Sequence, residues 1–535
     1  MTDHAYWPPT AGEPTLDTTL GDLLRDAAAT VPDRLALVDG SAEPSARREW
    51  TYRELLQDAE RVARALLSRY APGDRIAVWS ANRPEWELLQ LGAALAGMVL
   101  VTVNPALRER ELRHVLGQSR ACALFLTADF RGERRADVAG RLDLPELRER
   151  YLFEDWAAFL ALAEACDVPF PDVKPRDAAQ IQYTSGTTGA PKGCRLHHQG
   201  SINAARFAGT RGGLRDGDIW INPMPMFHVG SCVMAAIGIL ALHGTHVLLP
   251  RFDATLVLDR IQEHRGTIML AVPTILNALV NHPRVEEYDL SSMRSMLLGG
   301  AGCPAALVRR AESLFDCTIS IGFGQTEVHG VVTQTHPADS FEDRMTTVGH
   351  PLPHMEARIL DPVTGRTVRF GERGEICVRG YQSMLDYFEL PEASRATLDA
   401  DGWLHTGDLG SMDERGFIRV TGRLKDMIIR GGENIYPREI EELLLTHPGV
   451  SGAEVLGVPD EHWGEQVAVV LQLRPGPTRA EELYRYCREN LAPFKAPRLW
   501  YLTEDFPVTA SGKIQKYVLR RRIADGDLKP VLSMI

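Results

Sequence analysis

Tyr183-Thr-Ser-Gly-Thr-Thr-Gly-Ala-Pro-Lys-Gly193 follows Gln180-Ile-Gln-Tyr183, a run that reads as the end of a strand. Beyond Tyr183 come Thr184, Ser185, Gly186, Thr187, Thr188, Gly189, Lys192 and Gly193, with no large apolar side chain among them. Glycines let backbone approach a ligand closely. Exposed backbone N–H groups, hydroxyls and an ammonium together make a cradle for an anion, and phosphate is the obvious one. The spacing departs from the Walker pattern, because Gly193 and not Ser or Thr follows Lys192. A Gly/Thr/Ser loop without a ligand is the plain alternative.

Around this stretch, apolar runs alternate between helical and strand periods. Thr51 and Glu54 form a capping box at a helix start, and Leu55, Ala59, Val62, Ala63 and Leu66 recur behind them at helical spacing. Strands are predicted at Ile76–Trp79, Met98–Val103, Ala121–Thr127, Ile219–Asn222, His246–Leu249, Thr267–Ala271, Ser295–Leu298 and Thr318–Ile321, with helices such as Ala254–His264 and Ala305–Phe315 between them. This alternation predicts an α/β architecture: a large N-terminal domain of parallel-type sheets flanked by helices. Residues 131–178 read as a charged surface connection with one helix near Trp156–Ala165. After about 345 the pattern turns to short strands such as Glu375–Arg379, predicting a small β-rich subdomain. Near Lys425 a last α+β unit begins, with helices at Pro437–Leu444 and Ala480–Leu491. The expected domains are 1–424, with the β-rich part at about 345–424, and a mobile cap at 425–535.

The chain has 535 residues, 44% of them hydrophobic, enough for more than one core. Its net charge of −12 gives no basic footprint for nucleic acid. Eight cysteines are scattered without a CxxC pair, which predicts reduced thiols and a cytoplasmic protein. The N-terminus lacks a secretory pattern. The apolar runs near Leu91–Val103 and Val229–Leu242 are too short or interrupted to span a bilayer and read as buried elements. His243-Gly-Thr-His246 and His197-His198 lack a zinc framework, and no Gly-x-Ser-x-Gly elbow is present.

The Thr/Gly-rich stretch resembles the signature loop of the adenylate-forming superfamily, which includes acyl-CoA synthetases and the adenylation domains of peptide synthetases. Further blocks match in the family's order across about 180–515. Gly299-Gly-Ala-Gly302 corresponds to a loop along the adenine, implying contacts from Gly300 and Ala301. Gly322-Phe-Gly-Gln-Thr-Glu327 resembles the Tyr-Gly-x-Thr-Glu block. The resemblance implies that Phe323 stacks on adenine beside Gly324 and Gln325, that Thr326 meets the α-phosphate, and that Glu327, with Thr184, holds Mg²⁺. Phe323 stands where Tyr is usual, so stacking is kept and a phenol is lost. Taken singly, these are a tight turn and a solvated helix-start acid.

Gly402-Trp-Leu-His-Thr-Gly-Asp408 implies ribose binding by Asp408, with Arg423 at the ribose or phosphates; a turn-forming Gly-Asp pair and a surface arginine are the plain alternatives. Lys425 matches the hinge, and Gly432 in Ile429-Arg-Gly-Gly-Glu-Asn-Ile-Tyr-Pro437 the pantetheine channel of thioester-forming relatives, against an ordinary β-turn. Pro507-Val-Thr-Ala-Ser-Gly-Lys513 resembles the last motif, whose lysine serves the first half-reaction; Lys513, Lys516 and Arg520–Arg522 read otherwise as a solvated basic tail. His198 matches a histidine common after the phosphate loop, although Cys194-Arg-Leu-His is atypical around it. Met224-Pro-Met-Phe-His228 resembles the mouth of the acyl pocket. His228 stands where amino-acid-activating domains place an aspartate, which disfavours an amino acid and leaves His228 as a catalytic candidate; the small apolar run after it is either an acyl slot or a core helix.

The resemblance implies a carboxylate–CoA ligase using ATP, Mg²⁺ and coenzyme A, acting on a small-molecule carboxylic acid. A homodimer and a carrier protein in trans are open as partners; nucleic acid and an integral membrane segment are not expected. Adenylation with another nucleophile or a small oxyacid is the alternative, told apart by product analysis without CoA. A silent ATP-binding module is the reading from another class, and would show no carboxylate-dependent ATP–pyrophosphate exchange.

Overall fold

The computed structural model describes residues 3–43, 47–130, 132–184, 191–300, 302–431, 433–460, 462–508 and 514–534. Its contacts divide the chain into two compact units. The larger comprises Trp7–Ala357 and Val378–His405, and the smaller comprises Met1–Tyr6, Arg358–Cys377 and Thr406–Ile535.

The larger unit carries two sheets. In the first, the strands run Asp386–Tyr387, Lys192–His197, Ala178–Thr184, Val99–Val103, Arg75–Trp79, Ala123–Leu126 and Glu149–Leu152. From Ala178–Thr184 onward the neighbours are parallel; the two strands on the other side are antiparallel. The second, nine-stranded sheet has a parallel centre that includes Ile268–Ala271, Ser295–Leu298 and Thr318–Gln325. Parallel strands covered by helices on both faces read as continuous apolar runs. Here Ile76–Trp79, Val99–Val103 and Ala123–Leu126 are buried along their whole length. The capping box forms as expected: Glu54 N–H donates to Thr51 Oγ1 at 3.3 Å and Thr51 N–H donates to Glu54 Oε2 at 2.8 Å. Caps of this kind contribute about 1 kcal/mol.

Two expectations need correction. Residues 131–178 are no mere surface connection, because Glu149–Leu152 completes a sheet edge and Leu142, Leu147, Phe153 and Phe159 are buried. Their anchors are single apolar residues separated by charged ones, too sparse to register as a period. The helix there is α-helical over Trp156–Ala161 and continues as a 3-10 turn over Leu162–Ala165. The second correction concerns the strand expected at Thr318–Ile321, which does not end there but runs on through Gly322-Phe-Gly-Gln325. This extension pairs antiparallel with Gly330–Gln334. Gly324 makes this possible, since a Cβ there would lie 1.7 Å from the Gly330 carbonyl oxygen.

In the smaller unit, a five-stranded sheet takes in Leu404–Met412 and Ile418–Arg423, in line with the expected β-rich part. A six-stranded sheet is built on Val450–Asp460 and Gly464–Leu473, with helices Pro437–Leu445 and Ala480–Asn490. Ile440, Leu444, Val455, Val469 and Trp500 form its core. Among the described residues, no helix is long and apolar enough to cross a membrane. The run at 229–242 is buried as a π-helical turn, Gly230–Ala235, followed by the helix Ala236–Ala241.

Candidate active site

Thr184 and Lys192 are cross-strand partners at the ends of the two antiparallel strands that bracket the Thr/Gly-rich stretch. Ser185, Gly186, Thr187, Thr188 and Gly189 lie outside the described residues, as do Ala301, Gly432 and Lys513. The two ends of the stretch are held by one helix, Glu109–Gln118. On its near side, the Tyr183 hydroxyl is shared between Val115 O, at 3.0 Å, and Gln118 Oε1. On its far side, the Pro191 carbonyl meets His114 Nε2 at 3.1 Å, so that nitrogen donates. A stretch rich in glycine loses much freedom on ordering, and fixing both ends lowers that cost.

The next predicted residues come from the nine-stranded sheet. Leu298 pairs with Ile321, so Gly299–Gly300, just past the end of one strand, lie beside Gly322-Phe323 within its parallel neighbour. Gly300 has φ +83°, the left-handed region that suits glycine. A Cβ on Gly299 would sit 3.2 Å from the Gly322 carbonyl. Phe323 is half-buried, and Gln325 Nε2 is buried with no hydrogen-bond partner among the described atoms. The strand runs directly into a 3-10 turn, Thr326–Val328.

Glu327 on that turn is 8% exposed, so it is not the solvated acid of the plain reading. Tyr387 O–H donates to its Oε1 at 2.7 Å. The Lys192 ammonium stands 4.9 Å from the centroid of the same tyrosine ring. Two motifs far apart in sequence and on different sheets therefore meet on Tyr387. The segment carrying it is stitched to both: Met384 N–H donates to Glu327 O at 2.9 Å, and Phe388 N–H to Gly193 O at 2.8 Å. Arg195 pairs with Asp386 through two hydrogen bonds, one of them 2.7 Å, which gives the atypical Cys194-Arg-Leu-His a structural reason. Tyr387, His114 and this strap were not legible in the sequence, since an isolated aromatic between Asp386 and Phe388 carries no periodic signal.

Mg²⁺ takes hard oxygen ligands and one or two carboxylates beside phosphates. Glu327 fits that demand: it is drawn out of water, and its recorded protein partner is a neutral donor on one oxygen. A bound Mg²⁺ would supply charge neutralisation at the phosphate oxygens.

Met224-Pro-Met-Phe-His228 is clamped from below. Asn82 Nδ2 donates to Met224 O at 2.8 Å and to Leu249 O at 2.9 Å, and Met226 N–H donates to Asn82 Oδ1 at 2.7 Å. Ser231 Oγ donates to Met224 O at 3.0 Å, and Asn222 Nδ2 reaches Ser231 Oγ at 2.8 Å. Asn222 Nδ2 also meets His246 Nε2, whose ring continues to Glu87 at 2.7 Å. His228 Nδ1 accepts Gly230 N–H at 3.1 Å. With Nδ1 accepting, the neutral ring carries its proton on Nε2. His197 and His198 are structural: Gly200 N–H donates to His197 Nδ1 at 3.0 Å and Leu20 N–H to His198 Nδ1 at 3.3 Å. Burial pulls both pKa values down to about 4.

In the smaller unit, Asp408 and Arg423 are cross-strand partners, with Arg423 Nε 2.9 Å from Asp408 Oδ1. Asp408 is 5% exposed and lies within a strand, so the turn reading is excluded. Arg423 is not a free surface arginine; its guanidinium neutralises that carboxylate. Lys425 occupies a single 3-10 turn, Leu424–Asp426, and its pKa falls to about 8, through desolvation first and the Arg423 charge second. The basic tail is not simply solvated. Lys516 reaches Glu441 at 2.5 Å and Glu454 at 3.3 Å, and Arg520 reaches Asp426 at 3.2 Å.

The model of the AMP-binding enzyme family matches residues 24–388, and that of the AMP-binding enzyme C-terminal domain matches 439–513. The chain is 38% identical to a putative acyl-CoA synthetase, YngI, of Bacillus subtilis, over 95% of this chain and 97% of that one. It is 32% identical to the human mitochondrial medium-chain acyl-CoA ligase ACSF2, over 94% and 87%. The crystal structure of ATP-bound MatB from Rhodopseudomonas palustris superposes with a TM-score of 0.85 at 29% identity, over 95% of this chain and 99% of that one. The buried Glu327 carboxylate and these likenesses along nearly the whole length lead to one conclusion: the chain belongs to the AMP-binding enzyme family, as an ATP- and Mg²⁺-dependent acyl-CoA ligase that works through an acyl-adenylate.

Proposed function

We propose that the enzyme activates an aliphatic monocarboxylic acid of medium length and passes it to coenzyme A. The observation that carries this reading is His228: its Nδ1 accepts Gly230 N–H, so the ring, standing where amino-acid-activating domains place an aspartate, offers no negative counter-ion for an ammonium. Behind it, Val229, Cys232, Val233 and Met234 are buried and apolar. The medium length rests on the name of the human relative.

In this reading the phosphates are held by Ser185, Gly186, Thr187, Thr188, Gly189 and Lys192, and Mg²⁺ by Glu327 and Thr184. Phe323 stacks on adenine, flanked by Gly300, Ala301, Gly324 and Gln325, and Thr326 meets the α-phosphate. Asp408 accepts the ribose hydroxyls, with Arg423 steadying it. The substrate carboxylate attacks the α-phosphorus, its bond to the bridging oxygen breaks and pyrophosphate leaves. Lys513 stabilises the charge that shifts onto the α-phosphate. The cap at 425–535 then turns about Lys425, Gly432 lines the pantetheine channel, and the CoA thiol, losing its proton, displaces AMP from the acyl carbon. The free thiol state of all eight cysteines supports a reducing, cytoplasmic setting. Dimerisation and a carrier protein do not enter this reading.

A carboxylate panel assayed for AMP release with and without CoA tests it. Medium-chain fatty acids should give CoA-stimulated release, and α-amino acids none. Lys513→Ala should cripple adenylate formation yet spare thioester formation from supplied acyl-adenylate, and bulk at Gly432 should do the reverse. Equal losses in both half-reactions for both variants contradict alternation, and a preference for amino acids contradicts the role of His228.

A further inference from the structure

We propose that Tyr387 is a positioning residue of the adenylation site: its hydroxyl sets the Glu327 carboxylate for the divalent cation, and its ring tethers the Lys192 ammonium. The proposal rests on Glu327 and Lys192 having the roles given above. Tyr387 is 6% exposed, donates to Glu327 Oε1 at 2.7 Å and lies 4.9 Å under the Lys192 ammonium.

The choice of a phenol has a physical consequence. A guanidinium or ammonium bonded to Glu327 would cancel the charge needed by a metal ion. A neutral O–H fixes one oxygen and leaves the full negative charge, with the other oxygen to coordinate. A phenol keeps its proton at neutral pH, so the group acts as a donor to the carboxylate. The ring's face attracts the Lys192 ammonium without neutralising it. Lys192 thus sits over the face of the ring whose hydroxyl edge meets Glu327.

The backbone fixes Tyr387 as firmly as its side chain is fixed. Cys194 pairs with Tyr387 across the sheet edge, Tyr387 N–H donates to Ser394 Oγ at 3.0 Å, and Leu390 N–H donates to Tyr387 O at 3.0 Å. Gln382 Nε2 donates to Val328 O at 2.9 Å and Val331 O at 2.7 Å, so the strap grips the turn bearing Glu327 from a second point. Such support holds a ligand side chain in one orientation before the ligand arrives.

Hydroxyl and ring separate by substitution. The probe is Mn²⁺ titrated into full-length enzyme with α,β-methylene-ATP, read by the electron paramagnetic resonance signal of free Mn²⁺. Tyr387→Phe keeps the ring and loses the hydroxyl. It should weaken Mn²⁺ about tenfold, as expected for a hydrogen bond to a charged group, while metal-free nucleotide affinity stays at the wild-type value. In turnover it should raise the Mg²⁺ concentration needed for half-maximal rate, with kcat recovering at high Mg²⁺. Tyr387→Leu should weaken nucleotide binding without metal as well. Glu327→Gln is the control: wild-type Mn²⁺ affinity in that variant overturns the metal role of Glu327 itself. Loss in Glu327→Gln with wild-type affinity in Tyr387→Phe overturns only the role of Tyr387. Should Tyr387→Phe fail to fold, 3-fluorotyrosine at position 387 keeps the hydroxyl, and its ¹⁹F resonance should shift on adding Mg²⁺ to the nucleotide complex. A resonance indifferent to Mg²⁺ overturns the proposal.

Discussion

Glu327 in the larger unit and Asp408 in the smaller are both carboxylates nearly closed off from water, yet their partners differ in kind. Glu327 is held by the Tyr387 phenol, Asp408 by the Arg423 guanidinium. A neutral partner preserves the negative charge, whereas a cationic one compensates it. Under the proposed roles, the first carboxylate keeps its full charge for a cation, whereas the second meets neutral ribose hydroxyls at little net charge. In that reading partner chemistry, more than burial, separates the metal carboxylate from the sugar carboxylate.

The comparison breaks most visibly through Glu327. Glu327→Gln should lower the rate of carboxylate-dependent ATP–pyrophosphate exchange about 10³-fold, the scale of losing a charge-stabilising group. Asp408→Asn should weaken nucleotide binding by about 10- to 100-fold and should bind ATP and 2′,3′-dideoxy-ATP alike, as fluorescence competition would report. Arg423→Ala removes one partner of Asp408. Because Arg423 is open to water, the cost to folding should be only about 1 kcal/mol, read from urea titration.

The smallest effect concerns pH, where the two units should move oppositely. In the larger unit, His197 and His198 have pKa values near 4 against the ordinary 6.5. The unfolded chain takes up those protons first, so stability is full above pH 6.5 and is lost as pH falls toward 4. In the smaller unit, burial raises Glu454 from 4.5 to about 7, although Lys516 pulls the other way; Glu441 holds the nearer place on that ammonium. The folded form holds that proton more tightly, so stability falls as pH rises from about 4.5 to 7. Differential scanning calorimetry should show the smaller unit melting lower at pH 7.5 than at pH 5, with Glu454→Gln flattening the difference. A parallel rise of both transitions would contradict these assignments.

What was legible in the sequence follows from how each feature is encoded. Helices Ala254–His264 and Ala305–Phe315 form over their expected spans because each rests on a local 3.6-residue period. The capping box needs only Thr51 and Glu54. The extension of the strand to Gln325 was hidden because it depends on a partner, Gly330–Gln334, and on the space that Gly324 leaves. The buried anchors within 131–178 were hidden by their charged neighbours. In the candidate site, motif residues announced themselves by type and spacing, but their supports did not. Asn82, His114 and Tyr387 act through contacts 60 or more residues distant in sequence.

The account turns on Glu327 as the carboxylate that confers metal dependence on nucleotide binding, and calorimetric titration of α,β-methylene-ATP with and without Mg²⁺ tests that directly. Wild type and Asp408→Asn should both bind the nucleotide more tightly with Mg²⁺, whereas Glu327→Gln should bind it equally well either way. A Glu327→Gln enzyme that retains the Mg²⁺ effect, or an Asp408→Asn enzyme that loses it, would contradict the division of labour between the two carboxylates.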